Sequence, residues 1–279
     1  MSREAEPATG PAGPGDPGGP RGIDTRVAHS ARVHDYWLGG KDNFAADRAA
    51  GDAVLAAYPG IIASVRAGRA FLARVVRFLA AETGIRQFLD IGTGIPAADN
   101  THEVAQAAAP GARVVYVDYD PVVLLHARAL LRSSPGGAVD YIDADLRNPD
   151  AILAGAARAL DFSRPVAVML IAIMHLIGDQ DDPYGIVKTL MAAVPSGSYL
   201  ALSQVASDIE SEQMADAASR YNHLAHETQR HRSHAEVARF FDGLELAAPG
   251  LVPVHQWRPG SETGVTQRSA MWGGVARKP

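Results

Sequence analysis

Five short apolar or β-branched runs fall in series at Gln87–Ile91, Arg113–Val117, Ala138–Ile142, Val166–Met174 and Ser198–Val205. Helical periodicity fills the gaps between them, at about 101–109, 121–132, 149–160 and 183–194. Strand and helix in strict alternation dictate a parallel sheet with helices on both faces, because each parallel crossover must carry a covering element. Those crossovers are expected to be right-handed.

Upstream, helical spacing runs from about Asn43 to Ala57 and from Ile62 to Ala81. In the second stretch Val65, Leu72, Val76 and Leu79 share a face, with Arg66, Arg69, Arg74 and Arg77 largely elsewhere. Downstream, a long polar helix (about 209–230) and a short one (about 234–241) precede two strand-like runs, Leu244–Val254 and Met271–Ala276. The turn-rich PGSETG between those runs predicts an edge hairpin with an antiparallel last strand. Residues 1–22 hold Gly, Pro and Ala with no aromatic and no aliphatic larger than Ala, so this tail is expected to be disordered. The division predicted is a tail over 1–22, a helical extension supplying a lid over 23–82, and a cofactor-binding core over 83–279.

Several function classes drop out. The chain has no cysteine, which removes disulfides, thiolate metal sites and a cysteine nucleophile. A formal net charge of −5 argues against nucleic acid as a partner. The Gly/Pro-rich start has no apolar core like that of a secretory signal, and the Val166–Met174 run is far short of the roughly 20 residues that span a bilayer. A cytoplasmic protein without membrane contact is the expectation. No G-x-S-x-G elbow supports a serine hydrolase.

The first strand ends in Phe88-Leu-Asp-Ile-Gly-Thr-Gly-Ile-Pro-Ala97, a G-x-G-x-x-A turn in which Gly92 and Gly94 permit close backbone approach to a ligand. Asp118 lies at the end of the second strand, about 25 residues on, where an acid can accept both hydroxyl protons of a ribose. Asp145 closes the third strand over the same crevice, placed to accept from an exocyclic adenine amine. Electrostatics separates two cofactors. A nicotinamide dinucleotide would bring its anionic pyrophosphate beside Asp90, with no Lys or Arg between Gln87 and Thr101 to offset it. S-adenosylmethionine (SAM), with an ammonium and a sulfonium against one carboxylate, suits three acids.

The D-x-G-x-G turn, the acids after strands two and three, and the terminal hairpin resemble a class I SAM-dependent methyltransferase. More narrowly, RVHDYWLGGKDNFAADR (32–48), LDIGTGIPAADNTHEVAQ (89–106) and YVDYDP (116–121) resemble a bacterial S-adenosyl methyltransferase family without an assigned substrate. The resemblance covers about residues 23–277. It implies an α/β, doubly wound, Rossmann-like sheet of seven strands with an antiparallel C-terminal hairpin and an N-terminal helical extension. It also implies that Asp90, Gly92 and Gly94 line the methionine part, Asp118 the ribose and Asp145 the adenine, with Thr93, Tyr119 and Leu146 beside them. Pro96 stands where a glycine is common in the superfamily, which affects the loop's path over the methionine carboxylate.

The fourth strand runs into IAIMHLIGDQDDP and sets His175 at its carboxyl end, on the rim facing the methyl group. His34-Asp-Tyr-Trp-Leu-Gly-Gly-Lys-Asp-Asn-Phe44 reads as a lid hinged at Gly39–Gly40, with Tyr36 offering a hydroxyl and a ring face to the sulfonium. His175 and Tyr36 are therefore the candidate catalytic residues. His226-Glu227 begins a zincin-like motif, but Arg230 stands where the second His is required, so no metal site is expected. The function expected is methyl transfer to a small-molecule acceptor. The alternatives are an NAD-dependent oxidoreductase and a non-catalytic SAM-binding protein.

Overall fold

Strand residues that are apolar on both faces pair in parallel, because both faces are to be covered. In the computed structural model, which describes residues 23–130, 133, 136–260 and 268–279, β1 (Gln87–Ile91) and β4 (Ala167–Ile171) are buried throughout. They pair in parallel with each other; β1 also pairs with β2 (Arg113–Asp118), β2 with β3 (Ala138–Asp143) and β4 with β5 (Tyr199–Val205), all in parallel. The last strand, β8 (Met271–Arg277), runs antiparallel beside β5. On its far side lie two short pieces, β6 (Glu245–Leu246) and β7 (Val252–Pro253). The order is β3-β2-β1-β4-β5-β8-β6, a Rossmann-like arrangement whose direction of winding reverses between β1 and β4.

Alternation along β1 distributes its side chains. Phe88 faces α3 (Ile61–Ala81) and α4 (Thr101–Ala108) in a cluster with Phe71, Val76, Val114 and Tyr116. Leu89 and Ile91 face the opposite layer, where Leu170, Ile186 and Leu190 pack with α6 (Pro149–Ala156) and α7 (Pro183–Ala192). The helix α5 (Pro121–Leu130) follows β2. A third cluster forms a cap: Val33 and Trp37 of α1 (Ser30–Leu38), Val54 of α2 (Ala45–Ala57) and Val65 of α3 meet Met214, Ala217 and Tyr221 of α8 (Ser211–Leu224). Because α3 contributes Val65 to the cap and Phe71 to the main core, it joins the two. The short α9 (His234–Ala238) is capped by Ser233, which exchanges hydrogen bonds with Glu236.

Most departures from the expected boundaries have tertiary causes. β4 stops at Ile171, short of Met174, because Ala172 turns to φ +55° and its N–H donates to Ser203 Oγ at 2.9 Å. α8 ends six residues before 230, since Ala225 pairs with Ala28 and His226 N–H donates to the Ala28 carbonyl at 3.0 Å. The run 244–254 divides in two at a bulge around Pro249, which has no N–H to give a ladder. The expected antiparallel hairpin is present, with residues 261–264 of its turn outside the described residues, as is the tail 1–22. No helix among the described residues is long and apolar enough to cross a membrane.

Candidate active site

The switch between β1 and β4 opens a crevice at the carboxyl ends of the strands, the usual place for a ligand in such sheets. Here it is a cavity of about 410 Å³. The loop after β1 forms its floor. Gly92 sits at φ +76°, where a Cβ would come within 2.5 Å of the Ile173 side chain, so no other residue fits. Gly94, at φ +68°, has open space where a Cβ would be, leaving its backbone bare to the cavity. Thr93 ties the loop back through Oγ1 to the Asp90 carbonyl at 3.2 Å.

All three predicted acids line this cavity. Asp118, buried at the end of β2, accepts from Gly94 N–H at 2.8 Å on one oxygen and from Tyr119 and Asp120 N–H on the other. It thus holds the glycine loop, and a carboxylate with about four acceptor sites retains capacity after three bonds. Burial pushes its carboxyl up, opposed by those backbone donors. Asp90 accepts from Thr101 Oγ1 at 2.6 Å, and burial raises its carboxyl to about 6. Asp145 is half-buried and paired with Arg147 at 3.1 Å; Arg147 also reaches the Leu176 carbonyl. Tyr119 and the buried Leu146 complete the wall on the Asp118 and Asp145 side.

The helix α1 lies across the cavity. Ser30, Ala31, His34, Asp35, Trp37 and Leu38 present one face to it. Tyr36 is not among them, which corrects the expectation that it reaches the sulfonium. At 100° per residue it points away, and its Oη donates to Asp52 on α2 at 2.7 Å. Lys41 is exposed and also outside the lining. His175 is where expected, just past β4, buried and on the cavity wall. Burial, with His231, His34 and Arg232 nearby, lowers its imidazole to about 3, so it is neutral at pH 7.

Four lining residues were not anticipated. Arg69 of α3 donates to the Ala98 carbonyl at 2.8 Å beside the glycine loop and has no carboxylate partner among the described residues. His34 is held neutral by burial and by Arg69, lowered to about 4. His29 bridges Asp120 (2.6 Å) and Glu227 (3.0 Å); burial opposes its protonation, but the two carboxylates outweigh it and raise the imidazole to about 10. Glu227 also accepts from Tyr119 Oη and from Ser30 N–H, and these donors with His29 hold it down to about 2 against burial. The helical face of α1 was the available signal for His34. Glu227 had none, because it reaches the cavity only through the pairing of 225 with 28.

This set of groups fits SAM: bare glycine backbone, carboxylates on the walls and one guanidinium with no carboxylate partner among the described residues, against a ligand with one carboxylate, two hydroxyls and two cationic centres. The sheet order and the site together define the class I methyltransferase fold. The S-adenosyl methyltransferase family model matches residues 17–279. The chain belongs to that family, whose cofactor is SAM. A protein of the DUF574 family from Streptomyces avermitilis is 47% identical, with 92% of this chain and 99% of that one aligned at a TM-score of 0.88. A Thermobifida fusca protein with a provisional methyltransferase name is 40% identical over 91% of this chain and 96% of its own, at a TM-score of 0.81. A SAM-dependent methyltransferase from Anabaena variabilis shares the fold at 13% identity, with 76% and 84% coverage and a TM-score of 0.52. No curated protein of known function matches the sequence.

Proposed function

We propose that the chain transfers a methyl group from SAM to a small-molecule acceptor. The observation carrying this reading is the convergence of Asp90, Asp118 and Asp145, from the ends of three successive strands, on one cavity floored by the glycine loop. SAM supplies an electrophilic methyl carbon on sulfur. Asp118 receives the ribose hydroxyls, with Tyr119 beside it. Asp145 and Leu146 line the adenine end. Asp90, Gly92, Thr93 and Gly94 surround the methionine part, where Arg69 pairs with the carboxylate and Asp90 with the ammonium. The single guanidinium beside the loop matches one carboxylate better than a doubly charged pyrophosphate, which weighs against the NAD reading.

Methyl transfer is an in-line displacement, so holding the acceptor in line supplies much of the acceleration. α1 lies across the cavity of about 410 Å³, which supports an acceptor of small size. His175 stands at the methyl end as the group facing the acceptor.

Calorimetric titration of SAM into the wild type and Asp118→Ala tests the reading. A loss of about 1–3 kcal/mol is expected when a charged hydrogen-bond partner is removed. Because Asp118 also holds Gly94 N–H, melting temperature is followed in parallel. Unchanged SAM affinity in a folded variant, or tighter binding of NAD than of SAM, would contradict it.

A further inference from the structure

The cluster at the start of α1 carries more charge than it cancels. His29 lies between Asp120 (2.6 Å) and Glu227 (3.0 Å), so one imidazole faces two carboxylates. At pH 7 all three groups are charged: against burial, His29 is raised to about 10, Glu227 is lowered to about 2, and Asp120 is lowered as well. The neighbouring cation, Arg32, is engaged with Asp47 at 3.3 Å. One net negative charge remains, and both carboxylates are buried. Away from water such an excess is costly until a cation comes beside it.

Glu227 brings that charge to the cavity wall, whereas Asp120 is not part of the lining. Its carboxylate accepts from Tyr119 Oη, next to Asp118 at the ribose end. It also favours the charged form of His175 beyond β4, against the burial that lowers that imidazole. Glu227 thus stands between the ribose end and the methyl end, the interval in which SAM carries its sulfonium. The other charged groups of the wall are engaged elsewhere. Arg147 binds Asp145 and Asp181, and Asp42 lies against His126. Asp35 accepts from Asp42 N–H and from Asn43, and Asp118 from three backbone N–H groups. Arg69 and Asp90 take the carboxylate and the ammonium of the methionine part, while His34 and His175 are neutral.

Resting on the SAM reading, we propose that Glu227 is the counter-charge of the sulfonium, and that it makes the site select the charged cofactor over its neutral product, S-adenosylhomocysteine. Both molecules present the same carboxylate, ammonium, ribose and adenine, so Arg69, Asp90, Asp118 and Asp145 hold them alike. They differ at sulfur. As the acceptor's electron pair bonds to the methyl carbon, the carbon–sulfur pair returns to sulfur. The positive charge passes to the acceptor, which carries it away or gives it up with a proton. The cluster then regains its unbalanced charge, and its hold on the product falls. Because these groups are buried, salt screens the effect far less than it screens a surface pair.

Calorimetric titration of SAM and of S-adenosylhomocysteine into the full chain at pH 7, without acceptor, measures the ratio of the two affinities. The wild type is expected to bind SAM at least about tenfold more tightly. Glu227→Gln keeps an acceptor oxygen but no charge, and should bring the two affinities within about threefold of each other. Asp120→Asn takes a charge from the cluster without touching the wall, and should lower the ratio by at least about threefold. Asp90→Asn should weaken both ligands and leave the ratio within about twofold of the wild type, because both carry the ammonium. A purely structural role for Glu227 would weaken both ligands together and leave the ratio unmoved. Equal affinities in the wild type, or a ratio that the Glu227 and Asp120 variants leave unchanged, overturn the proposal. If the glutamine variant does not fold, the wild type and Asp120→Asn decide it. Binding of neither ligand would overturn the cofactor reading itself, and this proposal with it.

Discussion

Asp90 is a buried carboxylate without a salt bridge among the described residues, a costly arrangement for a group whose ordinary value is 3.8 and which burial raises to about 6. Below pH 3.8 it is protonated folded or unfolded, and it costs nothing. Above pH 6 it is ionised in both states, and the folded protein bears the full penalty, of order 2–3 kcal/mol at about 1.4 kcal/mol per unit. Asp90→Asn, which can still accept from Thr101, is expected to raise the melting temperature of the unliganded protein at pH 8, with the gain vanishing near pH 4. The same variant should bind SAM about tenfold more weakly, because the ammonium loses its carboxylate. Paired melts and titrations at the two pH values check this; a variant less stable than the parent at pH 8 would refute it. That Asp90, Asp118 and Asp145 stand at one cavity was legible in the sequence because each lies at or within two residues of a strand's carboxyl end. Tyr36 misled because an aromatic hydroxyl beside Gly39–Gly40 says nothing about which face of a helix it occupies.

The element with most control over the cavity is α1, fixed at its start by His29 between Asp120 and Glu227 and by Ser30 N–H on Glu227. The raised imidazole of His29 contributes stability fully below its ordinary value of 6.5, and that contribution is lost as pH rises through about 10. The lowered carboxyl of Glu227 contributes above 4.5 and is lost as pH falls through about 2. Between these limits the clasp holds. Glu227→Gln should therefore lower amide protection over residues 30–38 while leaving β1 and β4 unchanged, at a cost of about 1–3 kcal/mol for a charged bond lost. In the wild type, S-adenosylhomocysteine should raise protection over the same residues. Hydrogen exchange that shows neither change would reduce α1 to ordinary packing. Every strand of the parallel sheet and the helices between them could be read from periodicity, because local pattern and burial agree there. The ends of β4 and α8 could not, since φ at Ala172 and the pairing of 225 with 28 are set by distant segments.

Across the whole molecule, α3 prevents the N-terminal helices from behaving as an appendage. Phe71 is fully buried and meets Trp257 edge to face at 5.6 Å, and Phe78 meets the same ring at 5.7 Å. The expected division at residue 82 follows a change in sequence character, but the hydrophobic core runs across it. Phe71→Ala should cost about 3–5 kcal/mol, the usual range for a buried aromatic. Denaturant unfolding should stay a single transition in both proteins, by circular dichroism and by tryptophan fluorescence alike. An early, separate loss of the helices over 30–81 would show that the cap folds on its own.

The whole account turns on how the cofactor lies between the glycine loop and β4. A crystal structure with S-adenosylhomocysteine bound measures this directly. The account predicts ribose hydroxyls on Asp118, the carboxylate beside Arg69, and the sulfur turned toward His175. A ligand whose ribose does not touch Asp118, or whose sulfur faces away from His175, would contradict it.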